Sequence, residues 1–136
     1  MIKLFLLSLL LIPSTVVAKD WVNLGGVSKH FGGSYNSFNL GLGYETERTE
    51  FITVGVGLYQ NSFRDISTYT MVEALPFKIK NIKIGFVTAA VTGYRYKIAV
   101  VAAPTLVYNN FKIIGLMPVS DTKPGIAIHF RVEINK

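Results

Sequence analysis

The sequence predicts an all-β fold, an eight-stranded antiparallel up-and-down transmembrane β-barrel, from three observations. Apolar and polar residues alternate at period two along the chain after residue 18, and no stretch there keeps a helical period. Gly, Asn, Asp and Pro separate the alternating stretches. The connections alternate between tight turns and longer loops, which is how outer-membrane barrels are organised.

The first 18 residues have the form of a secretory signal peptide. A lysine precedes an apolar run (4–12), and small residues lead up to Ala18, after which we expect cleavage. The run is shorter than the roughly 20 residues that a membrane-spanning helix needs, and Pro13 closes it. We therefore predict a signal peptide over 1–18 and a β-barrel domain over 19–136, exported to the cell outer membrane.

The composition of the exported part favours a lipid partner. Removing the first 18 of 136 residues leaves 118, enough for one domain, and lowers the formal charge from +6 to +5 because only Lys3 is lost. A basic surface suits anionic lipid headgroups or nucleic acid, and export favours lipid over nucleic acid. The sequence contains no cysteine, which excludes a lipid-anchored lipoprotein and a disulfide scaffold.

The first four strands follow from the alternation and from the turn-forming residues between them. A loop around Gly33 follows the first strand, a tight turn around Glu47 follows the second, and a loop around Arg64 follows the third. In the second and third strands, large apolar residues alternate with small ones, as expected where one face meets lipid. These boundaries predict strands at 21–30, 38–45, 50–60 and 66–75.

The last four strands are separated in the same manner. A tight turn around Lys78 precedes the fifth strand, a loop around Tyr94 the sixth, a tight turn at Asn109-Asn110 the seventh, and a loop around Ser120 the eighth. The fifth and sixth strands are apolar or small on both faces, unlike the wall of a water-filled pore. These boundaries predict strands at 82–93, 98–108, 111–117 and 125–135.

The interior of the predicted barrel has room for one slender apolar ligand. Eight strands enclose a space just wide enough for side chains to fill, and four glycines of the second and third strands face inward. A hydrocarbon chain suits so apolar a lumen better than a sugar or an ion. Alternatively, the glycines relieve curvature or make space for inward aromatic side chains. These lumen-lining residues are Gly41, Gly43, Gly55 and Gly57.

Two prolines predict a gap between the sixth and seventh strands near the loop end. Pro104 lies within the sixth strand and Pro118 closes the seventh, and proline cannot donate to the ladder of a sheet. A gap there would let a lipid tail pass sideways from a membrane into the lumen. A bulge at Pro104 and ordinary strand termination at Pro118 are the simpler alternatives.

His30, Asn61 and Ser62 are the candidate catalytic residues because they fall at one rim. The first and third strands run in the same direction, so their loop ends lie together. Acyl transfer needs a proton acceptor near a hydroxyl and donors for the oxyanion. A lone histidine or serine near a loop is more often a surface group, and His129 is better explained as a packed lumen residue than as a metal ligand. The sequence has no zinc spacing, phosphate loop or nucleophile elbow, so we expect no metal and no cofactor.

Over nearly all of the mature chain, the sequence resembles the lipid A palmitoyltransferase family of outer-membrane barrels in pattern rather than in close identity. The motifs that carry the resemblance lie at the ends of the first and third strands, in the second and fifth strands, and at the two prolines. They are Val27-Ser28-Lys29-His30, Asn39-Leu40-Gly41-Leu42-Gly43, Leu58-Tyr59-Gln60-Asn61-Ser62-Phe63, the stretch 84–93, Pro104, Pro118 and the final alternating strand.

The resemblance implies an enzyme that moves a palmitoyl group from a phospholipid to lipid A and holds the acyl chain in its lumen. The family's rim histidine, aspartate and serine fall on His30, Asn61 and Ser62, and the prolines of its lipid gate fall on Pro104 and Pro118. The implied partners are phospholipid and lipopolysaccharide within a membrane, with no nucleic acid, and we expect a monomer. Asn61 can orient a neighbouring group and donate hydrogen bonds, but it cannot stabilise an imidazolium by charge as the family's aspartate does.

Three functions stay open at this point. The first is an acyltransferase, in which His30 acts as general base for an incoming lipid hydroxyl or activates Ser62 as a nucleophile. If Ser62 is not the nucleophile, Ser62 and Asn61 could instead donate hydrogen bonds to the oxyanion. The second is a non-enzymatic barrel of the same fold that binds lipid. The third, a soluble lipocalin-like barrel, needs a polar exterior that the alternating strands supply only if their apolar faces point inward.

Overall fold

The chain folds into one closed antiparallel β-barrel. The computed structural model describes residues 19–94, 97–118 and 123–134; the predicted signal peptide over 1–18 lies outside them. Each strand pairs with its neighbours in sequence, and the last pairs with the first to close the sheet. The predicted all-β, eight-stranded, up-and-down fold is confirmed. The strands are β1 (Asp20–His30), β2 (Phe38–Glu47), β3 (Ile52–Gln60), β4 (Ile66–Ile79), β5 (Ile82–Val91), β6 (Ala99–Tyr108), β7 (Phe111–Leu116) and β8 (Gly125–Glu133).

The largest difference from the predicted boundaries is in β4, which continues four residues past the predicted end at residue 75. Pro76 is accommodated by a shift of register between Ala74 and Phe77; proline has no N–H, so it lies where pairing is interrupted. β4 then pairs with β5 as far as a turn at Lys80 and Asn81. The tight turn predicted around Lys78 therefore lies two residues later.

The two faces of the barrel wall differ in polarity. Large apolar side chains on the predicted outer faces of β2 and β8 are exposed, while the polar residues between them point into the barrel. This distribution is opposite to that of a water-soluble barrel, whose apolar side chains fill the interior. No described helix is long and apolar enough to cross a membrane. The exposed apolar residues include Phe38, Leu40, Leu42, Phe86, Val100, Ile126, Ile128, Phe130 and Val132.

Four charged side chains form a neutral cluster inside the barrel, away from the loop end. Lys112 is only 2% exposed, and its Nζ lies 2.9 Å from Glu45 Oε1 and 3.0 Å from Glu73 Oε2. The second contact is electrostatic rather than a well-aligned hydrogen bond, because neither Glu73 oxygen has a donor among the described residues. Arg131 completes the cluster 3.3 Å from Glu45 Oε2, and its guanidinium lies 3.9 Å from the ring centre of Trp21.

The inward Gly43 and Gly55 make space for large side chains, which is one of the alternatives that the sequence left open, whereas Gly41 and Gly57 also lie where the backbone of the neighbouring strand approaches closely. A Cβ on Gly43 or Gly57 would collide with the Tyr69 ring, and one on Gly55 would lie 2.9 Å from Met71 Cε. A Cβ on Gly41 would come within 2.8 Å of Tyr59 Cβ. The interior space beside these glycines is therefore largely occupied by the protein's own side chains, Tyr69 and Met71 among them.

Replacing Lys112 with methionine should destabilise the barrel by about 3–5 kcal/mol, because two buried carboxylates lose the cation they share. Urea titration of the refolded chain in detergent, followed by circular dichroism, measures this free energy of unfolding. The double variant Lys112→Met/Glu73→Gln leaves the Arg131–Glu45 pair charge-balanced and should recover most of the loss. A double variant no more stable than Lys112→Met would contradict the assigned pairing.

Candidate functional site at the barrel rim

His30 and Ser62 meet at the loop end of the barrel. β1 ends at His30, and Ser62 lies two residues beyond the end of β3, so both are placed by strands that run toward this rim. The Ser62 Oγ lies 3.3 Å from His30 Nε2. This is hydrogen-bonding reach for a base and a hydroxyl, and such contacts often shorten when substrate binds. The structure therefore brings together two of the three predicted rim residues.

Asn61, the third predicted residue, lies beside them in sequence but organises the loop. Its side chain is fully buried and uses its whole hydrogen-bonding capacity. The Nδ2 donates to Ser67 Oγ at 3.0 Å and to the Gly93 carbonyl at 2.9 Å. The Oδ1 accepts from the backbone N–H groups of Phe63 and Asp65. Asn61 therefore fixes the turn that presents Ser62, and it has no N–H left for an oxyanion.

Aromatic side chains that sequence reasoning missed surround the His30–Ser62 pair. The Tyr35 ring packs on the His30 imidazole with centroids 4.4 Å apart, and Phe63 meets Tyr35 edge-on. Phe63 also packs edge-on against Tyr94, at 6.0 Å. The sequence signal for this cluster was the presence of aromatic residues in each of three loops at the same rim. Together these rings limit the orientations that the imidazole can adopt.

Tyr94 links the rim to the lumen. Its hydroxyl lies 2.8 Å from the Tyr59 hydroxyl, and Tyr94 lines the outer end of the cavity together with Ser62. Burial is the main reason that the pKa of Tyr94 is raised well above its ordinary value, and the neighbouring Tyr59 raises it further. Tyr94 therefore keeps its proton at neutral pH. It is a hydrogen-bond donor placed next to Ser62, where a developing negative charge could be stabilised.

An elongated cavity of about 180 Å³ leads from this rim into the barrel. Its size exceeds that of a dry engineered cavity, roughly 150 Å³, that binds small apolar molecules. Ser62 and Tyr94 line its outer end, and Lys112 and His129 line its inner end near the charge cluster. Apolar side chains form most of the wall between them. These are Met71, Val87, Ala89, Val91, Val101, Ala103, Ile114 and Leu116.

β6 and β7 are joined over only part of their length. Their ladder runs from Tyr108↔Phe111 to Thr105↔Ile114 and stops there, so the first six residues of β6 have no partner on β7. Pro104 is the first unpaired residue, and its ring packs over Gly115 of β7. Pro118, exposed, lies two residues beyond the end of β7.

The unpaired stretch borders the cavity on both sides. Val101, Ala102 and Ala103 line the cavity from β6, and Leu116 and Met117 line it from the end of β7. At the loop end, near Pro104 and Pro118, strand pairing between β6 and β7 is therefore interrupted beside a mostly apolar cavity.

The site is set up for neutral hydroxyl and imidazole chemistry. No ion pair or hydrogen bond joins His30 to a carboxylate among residues 19–94, 97–118 and 123–134. The same residues contain no group of three or more histidines or carboxylates that could hold a metal ion. Exposed cations flank the rim, at Lys29, Arg64, Lys97 and Lys123.

The chain matches no known protein family, and no curated protein matches it.

Changing Asn61 to aspartate should destabilise the chain by about 1–3 kcal/mol at neutral pH. Both donated hydrogen bonds are lost, and a carboxylate is placed against the Gly93 carbonyl oxygen. Burial raises the pKa of such a carboxyl, and protonation restores a donor, so the loss should shrink as the pH falls. Urea unfolding across a range of pH measures both effects.

The matched control is Gln60→Glu, the same chemical change in the neighbouring residue. The Gln60 side chain makes only two long hydrogen bonds, of 3.4 and 3.3 Å, so its replacement should change stability by no more than about 0.5 kcal/mol. An Asn61→Asp variant as stable as this control at neutral pH would show that Asn61 does not hold the loop.

Proposed function

We propose that this chain is an outer-membrane acyltransferase that moves an acyl chain from a phospholipid to lipid A or a related lipid. The observation that carries the proposal is the His30–Ser62 pair, 3.3 Å apart at the mouth of an apolar cavity that borders a gap in the barrel wall. A reactive pair, a space for a hydrocarbon chain and a lateral route to that space thus occur together.

The polarity of the barrel supports a membrane location. Large apolar side chains are exposed on its outer surface, whereas the charge cluster is buried inside. Exposed aromatic residues, among them Phe51, Tyr108 and Phe111, lie at the turn end of the barrel, where membrane barrels carry an aromatic girdle. A soluble lipocalin-like barrel, the third function considered above, would need the opposite arrangement.

The substrate class follows from the cavity and the gap. The cavity wall is mostly apolar, so it suits an alkyl chain. A phospholipid in the outer leaflet could pass one tail between β6 and β7, because no ladder hydrogen bonds join the strands there. Its ester group would then lie near the rim, beside His30 and Ser62.

The reaction needs only groups present at this rim. A hydroxyl oxygen attacks the ester carbonyl carbon, and His30 Nε2 accepts its proton. The ester C–O bond then breaks, and the proton passes to the departing lysophospholipid oxygen. The attacking hydroxyl is that of the acceptor lipid or that of Ser62, which then passes the acyl group on. Tyr94, protonated and adjacent to Ser62, donates to the oxyanion in either case.

The resemblance to the lipid A palmitoyltransferase family supports the same reading at His30, Ser62, Pro104 and Pro118. Asn61 differs, because the family's aspartate is absent and the amide is committed to the loop. One specific observation therefore favours a second candidate function, a non-enzymatic lipid-binding barrel: no described carboxylate is in place to stabilise a charged His30.

Substitution of His30 or Ser62 by alanine should lower acyl transfer by roughly 100-fold or more, the usual contribution of a general base or nucleophile. Mass spectrometry of lipids from cells that express each variant measures the acceptor's gain of one acyl group and the matching lysophospholipid. Lys29→Ala, an exposed change one residue from His30, is the matched control and should keep full transfer. Gel mobility before and after heating reports folding.

Unchanged lipids in cells with well-folded wild-type protein would contradict acyl transfer and leave the lipid-binding barrel. Full transfer by both alanine variants would instead contradict the assignment of the rim residues.

Bridging the gap between β6 and β7 should abolish most acyl transfer while leaving the rim pair intact. The chain has no cysteine, so Ala102→Cys and Met117→Cys supply the two thiols that a reducible bifunctional reagent can join. Transfer should return after reduction. The control joins Thr88→Cys to Ala102→Cys, which are register partners in the fully paired β5 and β6. Equal transfer with either bridge in place would show that lipid does not pass through the gap.

A further inference from the structure

The hairpin between β4 and β5 has a free edge at the end of the barrel opposite the candidate site. β4 last pairs with β3 at Ile52↔Ala74, so its residues from Pro76 to Ile79 have a strand partner only in β5. The segment is exposed throughout. It therefore extends the barrel wall into its surroundings.

The two faces of this hairpin differ in chemistry. Phe77 pairs with Ile84 and Ile79 with Ile82, and these apolar residues continue the outward face that carries Phe86. Phe77 is 63% exposed and Ile79 is 62% exposed. Lys78 and Lys83 face each other across the ladder on the other side. An apolar face beside a cationic one is typical of a surface that lies at the boundary between lipid tails and headgroups.

The opposed lysines have no ion-pair partner among the described residues. Like charges directly opposite in a sheet are destabilising, and neither lysine forms an ion pair within the part of the chain that the structure describes. An anion from outside would remove this repulsion.

The turn adds a third cation at a costly position. Lys80 has a φ of 53°, which non-glycine residues other than Asn and Asp adopt infrequently. The matching tight turn between β6 and β7 uses Asn109 there, with a φ of 50°. Local conformation alone would favour asparagine at residue 80, so the presence of a lysine there is consistent with a role in binding an anion.

We propose that the β4–β5 hairpin binds the phosphate groups of anionic phospholipids at the membrane surface on the turn side. Phe77, Ile79, Ile82 and Ile84 enter the boundary of the acyl region, and Lys78, Lys80 and Lys83 contact the phosphates. This inference rests on the membrane location in the proposed function and not on the acyl-transfer chemistry.

A spin label at the hairpin tip tests the inference. Asn81→Cys provides the single thiol for labelling, and the full mature chain is inserted into vesicles of phosphatidylcholine with or without phosphatidylglycerol. Electron paramagnetic resonance measures label mobility and its accessibility to a water-soluble relaxant. In the chain that keeps all three lysines, phosphatidylglycerol should lower the mobility of the label and its accessibility to the relaxant. High salt should reverse both changes because it screens the lysines.

The decisive variant is Lys78→Gln/Lys80→Asn/Lys83→Gln, in which the response to phosphatidylglycerol should be lost. This variant should fold at least as well as the wild type, because it removes a like-charge pair and places asparagine where the β6–β7 turn has it. Lys29→Gln/Lys97→Gln/Lys123→Gln changes the net charge equally at the opposite rim and should keep the response at the tip.

Three results would overturn the inference. If the barrel is shown by gel mobility to be inserted and the label reports the same environment in both vesicle types, headgroup binding is contradicted but the membrane location is not. A chain that does not insert at all contradicts the membrane location as well. Dipolar broadening between labels in the hairpin variant would show that the lysines instead keep the free edge of β4 from pairing with a second copy.

Discussion

The ion pairs of Lys112 hold together a barrel whose wall is only partly closed by hydrogen bonds. β7 is the shortest strand, and its ladder with β6 covers four residue pairs. Lys112, near its start, reaches across the lumen to Glu45 on β2 and Glu73 on β4. A buried ion pair adds little stability compared with well-packed apolar residues, but losing one partner is costly. The cluster therefore fixes the turn-side part of β7, where Lys112 is also paired with Val107 of β6, whereas the loop-side end of β7 is paired only with β8.

The charge cluster separates the interior of the barrel into two parts with different roles. Toward the turn end, the interior is filled by charged groups that neutralise one another, so little space is left for a ligand. Toward the loop end, most of the cavity wall is apolar, the ladder between β6 and β7 is interrupted, and the rim carries His30, Ser62 and Tyr94. The interruption of pairing at the loop end is tolerated because ion pairs across the lumen hold the strands together at the turn end.

Local pattern was sufficient to predict the eight strands, the outward faces of β2 and β8, and the meeting of His30 with Ser62, whereas Val54 of β3, predicted to face outward, is buried. Each depends on period-two alternation and on the direction in which neighbouring strands run. The gap beside Pro104 was also predictable, since a residue without an N–H cannot continue a ladder. By contrast, the role of Asn61 depends on the position of Gly93, 32 residues away in the chain. The pairing of Lys112 with Glu45 spans 67 residues and depends on the register around the whole barrel, which alternation alone does not determine.

The central claim is that the cavity beneath the His30–Ser62 pair holds a hydrocarbon chain. It is tested most directly with a phospholipid that carries a photoreactive group within one acyl chain, activated in membranes that contain the barrel and mapped by peptide mass spectrometry. The account predicts adducts on inward residues of β5, β6 and β7, such as Ala89, Val101 and Ile114. Adducts confined to outward residues such as Phe86, Val100 and Ile126 would show that lipid touches only the exterior and would contradict the claim.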